Sequence, residues 1–457
     1  MLHEDKMSGI QLLQQNTKAK MLCCILEECG YRAFAVGGCV RDSLMGISPN
    51  DIDITTSAEP NDVRSIFEGK GYTVIDTGIK HGTVTVIVER EPFEITTMRV
   101  EGGYSDNRHP SSISFVKEIE SDLSRRDFTM NAIAYSYFDN SVIDVFDGIS
   151  DIKNGIIRCV GDPSQRFDED ALRILRALRF ASKLGFSIDE KTRCAMIAKK
   201  DCLRNISAER IYKEFCEILC GKYAGDVIYE YSEIVSVFVP EIKACKGFDQ
   251  HSKYHVYDVL AHICKVIDSI PPVLHLRLTA FFHDIGKPQT FFLDSEGEGH
   301  FYSHACKSTE ICDKVLGELR ADKKTKANTL FLVKHHDTPL PVDRSAIKKR
   351  LNKIGENRFF DLITVCEADC KGQAPAVYYR LSMLDKVREA AQSIIDEGEC
   401  LSLSKLAVDG NDIISIGVQD GRQIGFILSK LLDSVLAGEV ENSKDSLLKK
   451  AKNFIEN

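Results

Sequence analysis

The sequence predicts an α+β protein, with a mixed-sheet head followed by helices to the end of the chain. Three stretches carry that reading. Between Phe34 and Ile54, the apolar run Phe34-Ala35-Val36 makes a strand, Gly37-Gly38 a tight turn, Cys39 to Met45 a helix, and Asp51-Ile52-Asp53-Ile54 a second strand. TVTVIV, entered through His81-Gly82-Thr83, and FEITTMRV are β-rich runs separated by a charged turn, a hairpin extending the same sheet. Beyond about residue 225 the pattern is helical throughout.

A chain of 457 residues exceeds one ordinary core and divides into several domains. The expected divisions are a catalytic head over 1–150, a helical neck over 151–225, a helical body over 226–395 and a tail over 396–457. No apolar run approaches the roughly 18 residues of a membrane span. Met1 to Lys20 is polar and mixed in charge, unlike a signal peptide, so a cytoplasmic setting is expected. The 16 cysteines lack the CxxC spacing of zinc ribbons and read as reduced core thiols. A net charge of −9 argues against a broadly basic nucleic-acid surface and leaves local paths, RSAIKKRLNKI (Arg344 to Ile354) and KKAK (Lys449 to Lys452).

Chemistry concentrates at a few positions. Side chains alternate along a strand, so Asp51 and Asp53 point one way while Ile52 and Ile54 face a core. Two carboxylates so placed repel each other but suit shared divalent cations, and their hard oxygens suit Mg²⁺. The Gly37-Gly38 turn offers backbone N–H groups to a triphosphate. Glu94 reads either as a third acid or as an exposed strand carboxylate. Residues 8–30 form an amphipathic helix, Ser57 to Gly69 another, and Glu101 to Ile113, rich in Gly, Ser, Asn and Pro, a mobile loop. Arg125-Arg126 offers guanidinium forks that grip phosphate oxygens. Gly161 to Gly185 is one long amphipathic helix on which Asp170 and Arg173, three apart, share a face. They can match part of the Watson–Crick edge of cytosine or adenine, or simply pair with each other.

GGxVRD with DxD, then RRDFTMNAIAY, Glu169-Asp170-x-x-Arg173 and ISAERIYKEF, occur in that order over the first half of the chain. This series resembles the class II tRNA nucleotidyltransferase and bacterial poly(A) polymerase family, whose heads are similar to DNA polymerase beta. The resemblance implies addition of C, C and A to tRNA from CTP and ATP, Asp51 and Asp53 being the catalytic Mg²⁺ ligands. Gly37, Gly38, Arg41 and Arg126, with Asn131 nearby, would hold the triphosphate, Asp170 and Arg173 would choose the base, and Arg176 and Arg179 would help with phosphate. An A-adding enzyme and a poly(A) polymerase are alternatives within the family.

A second resemblance lies in FFHDIGKP (Phe281 to Pro288), which looks like the HD metal-dependent phosphohydrolases. One metal would need His262, His283, Asp284 and Asp369, and His304 and His335 would complete a two-metal site, a mix that suits a first-row divalent ion. This gives the different-class alternative, an HD phosphohydrolase whose head only binds nucleotide. The last stretch, with Gly417 and Gly421 between short helices and Arg422 and Lys430 available to phosphates, resembles the family's tRNA-gripping tail.

Overall fold

Alternating apolar residues build the predicted sheet, and the computed structural model describes it within residues 10–79, 82–104, 110–252 and 254–456. β1 (Ala33–Val36), buried along its whole length, lies between β2 (Ile54–Thr56) and β8 (Ile133–Ser136), antiparallel to both. With β3 (Thr73–Gly78), β4 (Thr83–Val88), β5 (Glu91–Thr97) and β9 (Ser141–Asp144), the order is β3-β4-β5-β2-β1-β8-β9. β2 and β5 run parallel and the other neighbours antiparallel, so the sheet is mixed. One face packs Phe34, Val36, Met98, Leu123 and Ala134 into a core.

Local structure departs from expectation in four places. The strand predicted over 51–54 is regular only from Ile54, yet the Asp53 carbonyl accepts from Val36 N–H at 3.0 Å. The extended path therefore continues upstream, with Ile52 and Ile54 buried and Asp51 and Asp53 exposed. The segment predicted as a mobile loop is a hairpin of β6 (Arg99–Tyr104) and β7 (Pro110–Phe115), registered from Arg99↔Phe115 to Tyr104↔Pro110. Its tip, 105–109, and His81 lie outside the described residues. The long helix predicted over 161–185 is two: Pro163–Glu169, capped by Asp162, and Leu172–Leu184, ended by Gly185 at φ +72°. Between them Asp170 is extended (φ −141°, ψ 102°), and its carboxylate accepts from Leu172 N–H at 3.0 Å. The helix expected over 8–30 has its regular span at Thr17–Glu28, started by the Asn16 side chain.

The chain resolves into two compact units, 1–240 and 241–457, so head and neck fold together, as do body and tail. The second unit is helical apart from a two-stranded hairpin, Phe292–Leu293 against Gly299–His300, absent from the sequence reading. Its helices Arg344–Ile354, Glu356–Lys371, Tyr379–Asp396 and Gly421–Leu436 share a core that includes Leu351, Phe359, Leu384 and Leu432. Gly410–Ser415, Gly421–Leu436 and Lys444–Glu456 enclose a smaller one around Ile413, Ile427 and Leu447. The basic run at 344–354 is partly neutralised, Arg344 pairing with Glu397 and Glu399 and Lys348 with Glu399. Among the described residues no helix is long and apolar enough to cross a membrane.

Candidate active site and metal centre

The first cluster grows from strand register. Ile54 of β2 pairs with Ile95 of β5, which sets the preceding residues, Asp53 and Glu94, side by side on the exposed face. Crowding by the surrounding protein, then the Asp51 and Glu94 carboxylates, raise the Asp53 carboxyl above its ordinary value, while Arg126 opposes them. Carboxylates that repel in this way are relieved by a cation, and an all-oxygen set suits Mg²⁺.

The candidate phosphate-binding groups lie in the same unit as these acids. Gly37 has φ +83°, which favours glycine, and a Cβ there would sit 3.0 Å from Arg126 Nη1, so a side chain would also press on that guanidinium. Gly38 opens the helix Gly38–Leu44, which carries Arg41. Arg41 is 9% exposed; its Nη1 donates to Asn131 Oδ1 at 2.7 Å, and Asn131 Nδ2 donates to Asp127 Oδ1 at 3.2 Å. Arg176 Nε donates to the other Asp127 oxygen at 2.7 Å, closing a chain from turn to neck. Burial pushes the Asp127 carboxyl up, but Arg176 and these hydrogen bonds prevail and hold it at about 2. Arg126 donates to the buried Asp122 at 3.2 Å. The guanidinium carbons of Arg41, Arg176 and Arg179 lie 5.1, 5.7 and 4.9 Å from the Phe180 ring centre. Each of these cations is also paired with a carboxylate, Arg41 with Asp42 at 2.6 Å, Arg176 with Asp127 and Arg179 with Glu214, so the ring gathers fixed guanidiniums whose charge is partly compensated.

Asp170 and Arg173 do not share a helical face, because the helix breaks between them. Instead Asp170 Oδ2 accepts from Arg210 at 2.8 Å, an arginine on the helix Ala208–Leu219. Arg173, 9% exposed, donates to Glu169 at 2.6 Å and to the carbonyls of Arg166 and Arg125 at 3.1 and 3.0 Å. Arg179 pairs with Glu214 at 3.2 Å. Arg210 and Glu169 thus orient the proposed base readers, and sequence spacing gave no signal for the first.

The second cluster is an array of imidazoles and carboxylates in the helical unit. His262, His283, Asp284 and Asp369 present ligand atoms within 4.8 Å of one another, and so do Asp284, His304 and His336. Asp284 belongs to both groups, its Oδ2 3.2 Å from His262 Nε2 and its Oδ1 3.4 Å from His304 Nε2. Each imidazole has Nδ1 on a backbone carbonyl: His262 on Gly372 at 3.0 Å, His283 on Ala280 at 2.7 Å, His304 on Phe301 at 2.9 Å and His336 on Val333 at 2.7 Å. A carbonyl only accepts, so each Nδ1 carries a proton and Nε2 is the ring atom left facing inward, where it can take a metal or a proton. Two such pairs face each other, His262 with His283 at 3.1 Å and His304 with His336 at 3.2 Å. Facing Nε2 atoms need a cation between them. Protons meet the same demand: burial lowers the His262 pKa, but hydrogen bonds to Asp284 and Asp369 outweigh it and lift the group to about 9. The His283 and Lys287 charges hold Asp284 well below the carboxylate range despite burial.

His335 is a correction. It packs at a tilt of 47° against Phe331, ring centres 4.6 Å apart, while its neighbour His336 joins the cluster. Successive helical side chains diverge by about 100°, so only one of the pair can face inward. Lys287, quoted within FFHDIGKP but given no role, is 5% exposed, with Nζ 2.6 Å from Asp284 and 2.8 Å from Gln250. His255 was also missed; it lines the cavity of about 320 Å³ beside the cluster. A larger open cavity of about 1050 Å³, lined by His275, Lys324, Arg358 and Lys405 among others, holds neither cluster.

Similarity to known proteins follows the same division. Residues 33–158 match the Poly A polymerase head domain, and 185–245 match the probable RNA and SrmB-binding site of polymerase A. A CCA-adding enzyme of Lactobacillus helveticus is 34% identical over 94% of this chain and 96% of its own. One from Leuconostoc mesenteroides is 32% identical over 97% and 98%. The crystal structure of the Bacillus stearothermophilus CCA-adding enzyme in complex with CTP superposes with a TM-score of 0.70 at 28% identity, covering 98% of both chains.

Proposed function

The chain belongs to the family of CCA-adding enzymes, and we propose that it adds C, C and A to the 3′ end of tRNA without a template, using CTP and ATP. The observation that carries this reading is the juxtaposition of Asp51, Asp53 and Glu94 with Arg126 beside a turn whose Gly37 has φ +83°. Asp51 and Asp53 are the proposed Mg²⁺ ligands, and the repulsion they share with Glu94 fits a cation. When bound, Mg²⁺ lowers the pKa of the RNA 3′-hydroxyl and steadies the departing pyrophosphate. Gly37, Gly38, Arg41 and Arg126 cradle the triphosphate, with Asn131 fixing the Arg41 fork and Arg176 and Arg179 adding positive charge. Asp170, turned by Arg210, and Arg173, turned by Glu169, read the base. The cytoplasm, where tRNA meets both nucleotides, is the proposed compartment. The test supplies tRNAs ending at the discriminator base, at C and at CC, with labelled CTP or ATP. Extension of all three to CCA is expected; extension of the CC-ended tRNA alone indicates an A-adding enzyme, and a run of A indicates poly(A) synthesis. Asp53→Ala should abolish incorporation of both nucleotides.

The inward Nε2 atoms of the second cluster favour a further activity. We propose that His262, His283, Asp284 and Asp369 hold one divalent transition metal and that Asp284, His304 and His336 hold another. When bound, such ions activate a water for phosphoester attack. Lys287, paired with Asp284, supplies positive charge beside them. The suggested substrates are 2′,3′-cyclic or terminal phosphates that block a tRNA end. Purified protein supplied with Mn²⁺, Ni²⁺ or Co²⁺ should hydrolyse them, and absence of hydrolysis with all three removes this second reading.

A further inference from the structure

We propose that Phe292, His300 and Tyr302 form a stacking platform for a nucleobase at the mouth of the imidazole cavity, making a nucleoside phosphate its ligand. This rests on reading that cavity as a phosphoester site and adds which part of the ligand is recognised. The three rings cluster with centres 5.2 to 5.5 Å apart, and His300 and Tyr302 lie within 5° of parallel. Tyr302 is 69% exposed and Phe292 44%, so neither ring is there to fill a core. Clustered, exposed aromatic rings of this kind offer a surface for a ligand to stack on. His300 and Tyr302 also line the cavity of about 320 Å³ that holds Asp284, Lys287, His304 and His336, a volume on the scale of one small ligand.

The platform is fixed to the cavity floor. Gly299 N–H donates to the His251 carbonyl at 2.9 Å, and a Cβ on Gly299 would meet the Gln250 carbonyl oxygen at 2.2 Å, so the hairpin sits directly on this backbone. The Gln250 side chain in turn accepts from Lys287 at 2.8 Å. Asp294 holds His300 Nε2 at 2.7 Å and sets the plane of that ring. A rigid π-face beside a pocket proposed to hold divalent metal ions, with Lys287 in its lining, matches a molecule that is flat and aromatic at one end and anionic at the other. Stacking tolerates every base, because each has a π-face. Uracil should therefore serve here, although the head is proposed to select C or A.

The experiment measures binding of uridine 3′-monophosphate and of ribose 5-phosphate, which has no base, to the full-length chain by calorimetry. The parent should prefer the uridine compound, and Tyr302→Ala should weaken it about tenfold while leaving ribose 5-phosphate unchanged, as expected for about 1–3 kcal/mol of stacking per base. Tyr302→Phe should restore binding. Equal weakening of both ligands, or no weakening of either, overturns the platform. An oligonucleotide ending in uridine 3′-phosphate tells the source of the ligand: tighter binding than the mononucleotide marks an RNA end, and equal binding a free nucleotide. Hydrolysis of uridine 2′,3′-cyclic phosphate with Mn²⁺ separates the two readings. Uridine binding through Tyr302 without hydrolysis leaves the platform standing and removes the metal reading. Hydrolysis with the same KM in parent and Tyr302→Ala does the reverse, and a KM raised about tenfold supports both.

Discussion

A single methyl group tests the triphosphate turn. Gly37 combines φ +83° with a Cβ position 3.0 Å from Arg126 Nη1, so Gly37→Ala strains the backbone and presses on the arginine proposed to hold phosphate. The expected result is a loss of about 1–3 kcal/mol in urea unfolding and at least a tenfold fall in CTP incorporation, and an unchanged rate would remove Gly37 from the site. Asp127 offers a pH-dependent test. Its folded pKa of about 2 lies below the ordinary 3.8, because Arg176 outweighs the cost of burial. A depressed carboxyl stabilises fully above its unfolded pKa, and the contribution fades as pH falls through the folded value. That difference is worth about 2 kcal/mol at neutral pH. Asp127→Asn should lower stability by about that amount at pH 6, and the gap between variant and parent should close between pH 4 and pH 2. A gap that stayed constant over that range would mean the charge on Asp127 is not what holds Arg176.

Elements decide which residues meet. Because the helix breaks at Asp170, the carboxylate proposed to read the base is steered by Arg210 on the helix Ala208–Leu219 and not by its neighbour in sequence. Arg210→Ala should therefore alter the ratio of CTP to ATP use by several-fold while leaving pyrophosphate release coupled to extension; an unchanged ratio would detach that helix from base choice. Rotation about the helix Lys323–His335 sorts the two adjacent histidines. His336→Ala should lower the metal content of purified protein, measured by mass spectrometry, whereas His335→Ala should leave it at the parent level. Equal losses would show that the second cluster is not a metal centre of the proposed composition.

At the scale of the whole molecule, the two clusters lie in different compact units, the carboxylates of 51 and 53 in 1–240 and the imidazoles in 241–457. Their chemistries should separate: Asp284→Ala should abolish phosphoester hydrolysis yet spare CTP incorporation, and Asp53→Ala should do the opposite. Loss of both activities in either variant would contradict two independent sites. With a net charge of −9, affinity for RNA should be modest and should fall with salt, since local basic clusters supply the attraction for phosphate. Much of this was legible in sequence, because alternation along a strand and a glycine turn are local properties. They settled that Asp51 and Asp53 share a face and that Gly37 and Gly38 form the turn, while the resemblance of FFHDIGKP to the HD phosphohydrolases named His262, His283, Asp284 and Asp369 as a candidate set. Tertiary structure alone decided the rest. Glu94 reached Asp53 through a parallel register between distant strands, Arg210 reached Asp170 from another helix, and His336 displaced His335 through helix rotation. Each of these depends on how elements pack across long stretches of chain, and spacing along the sequence does not encode that relation.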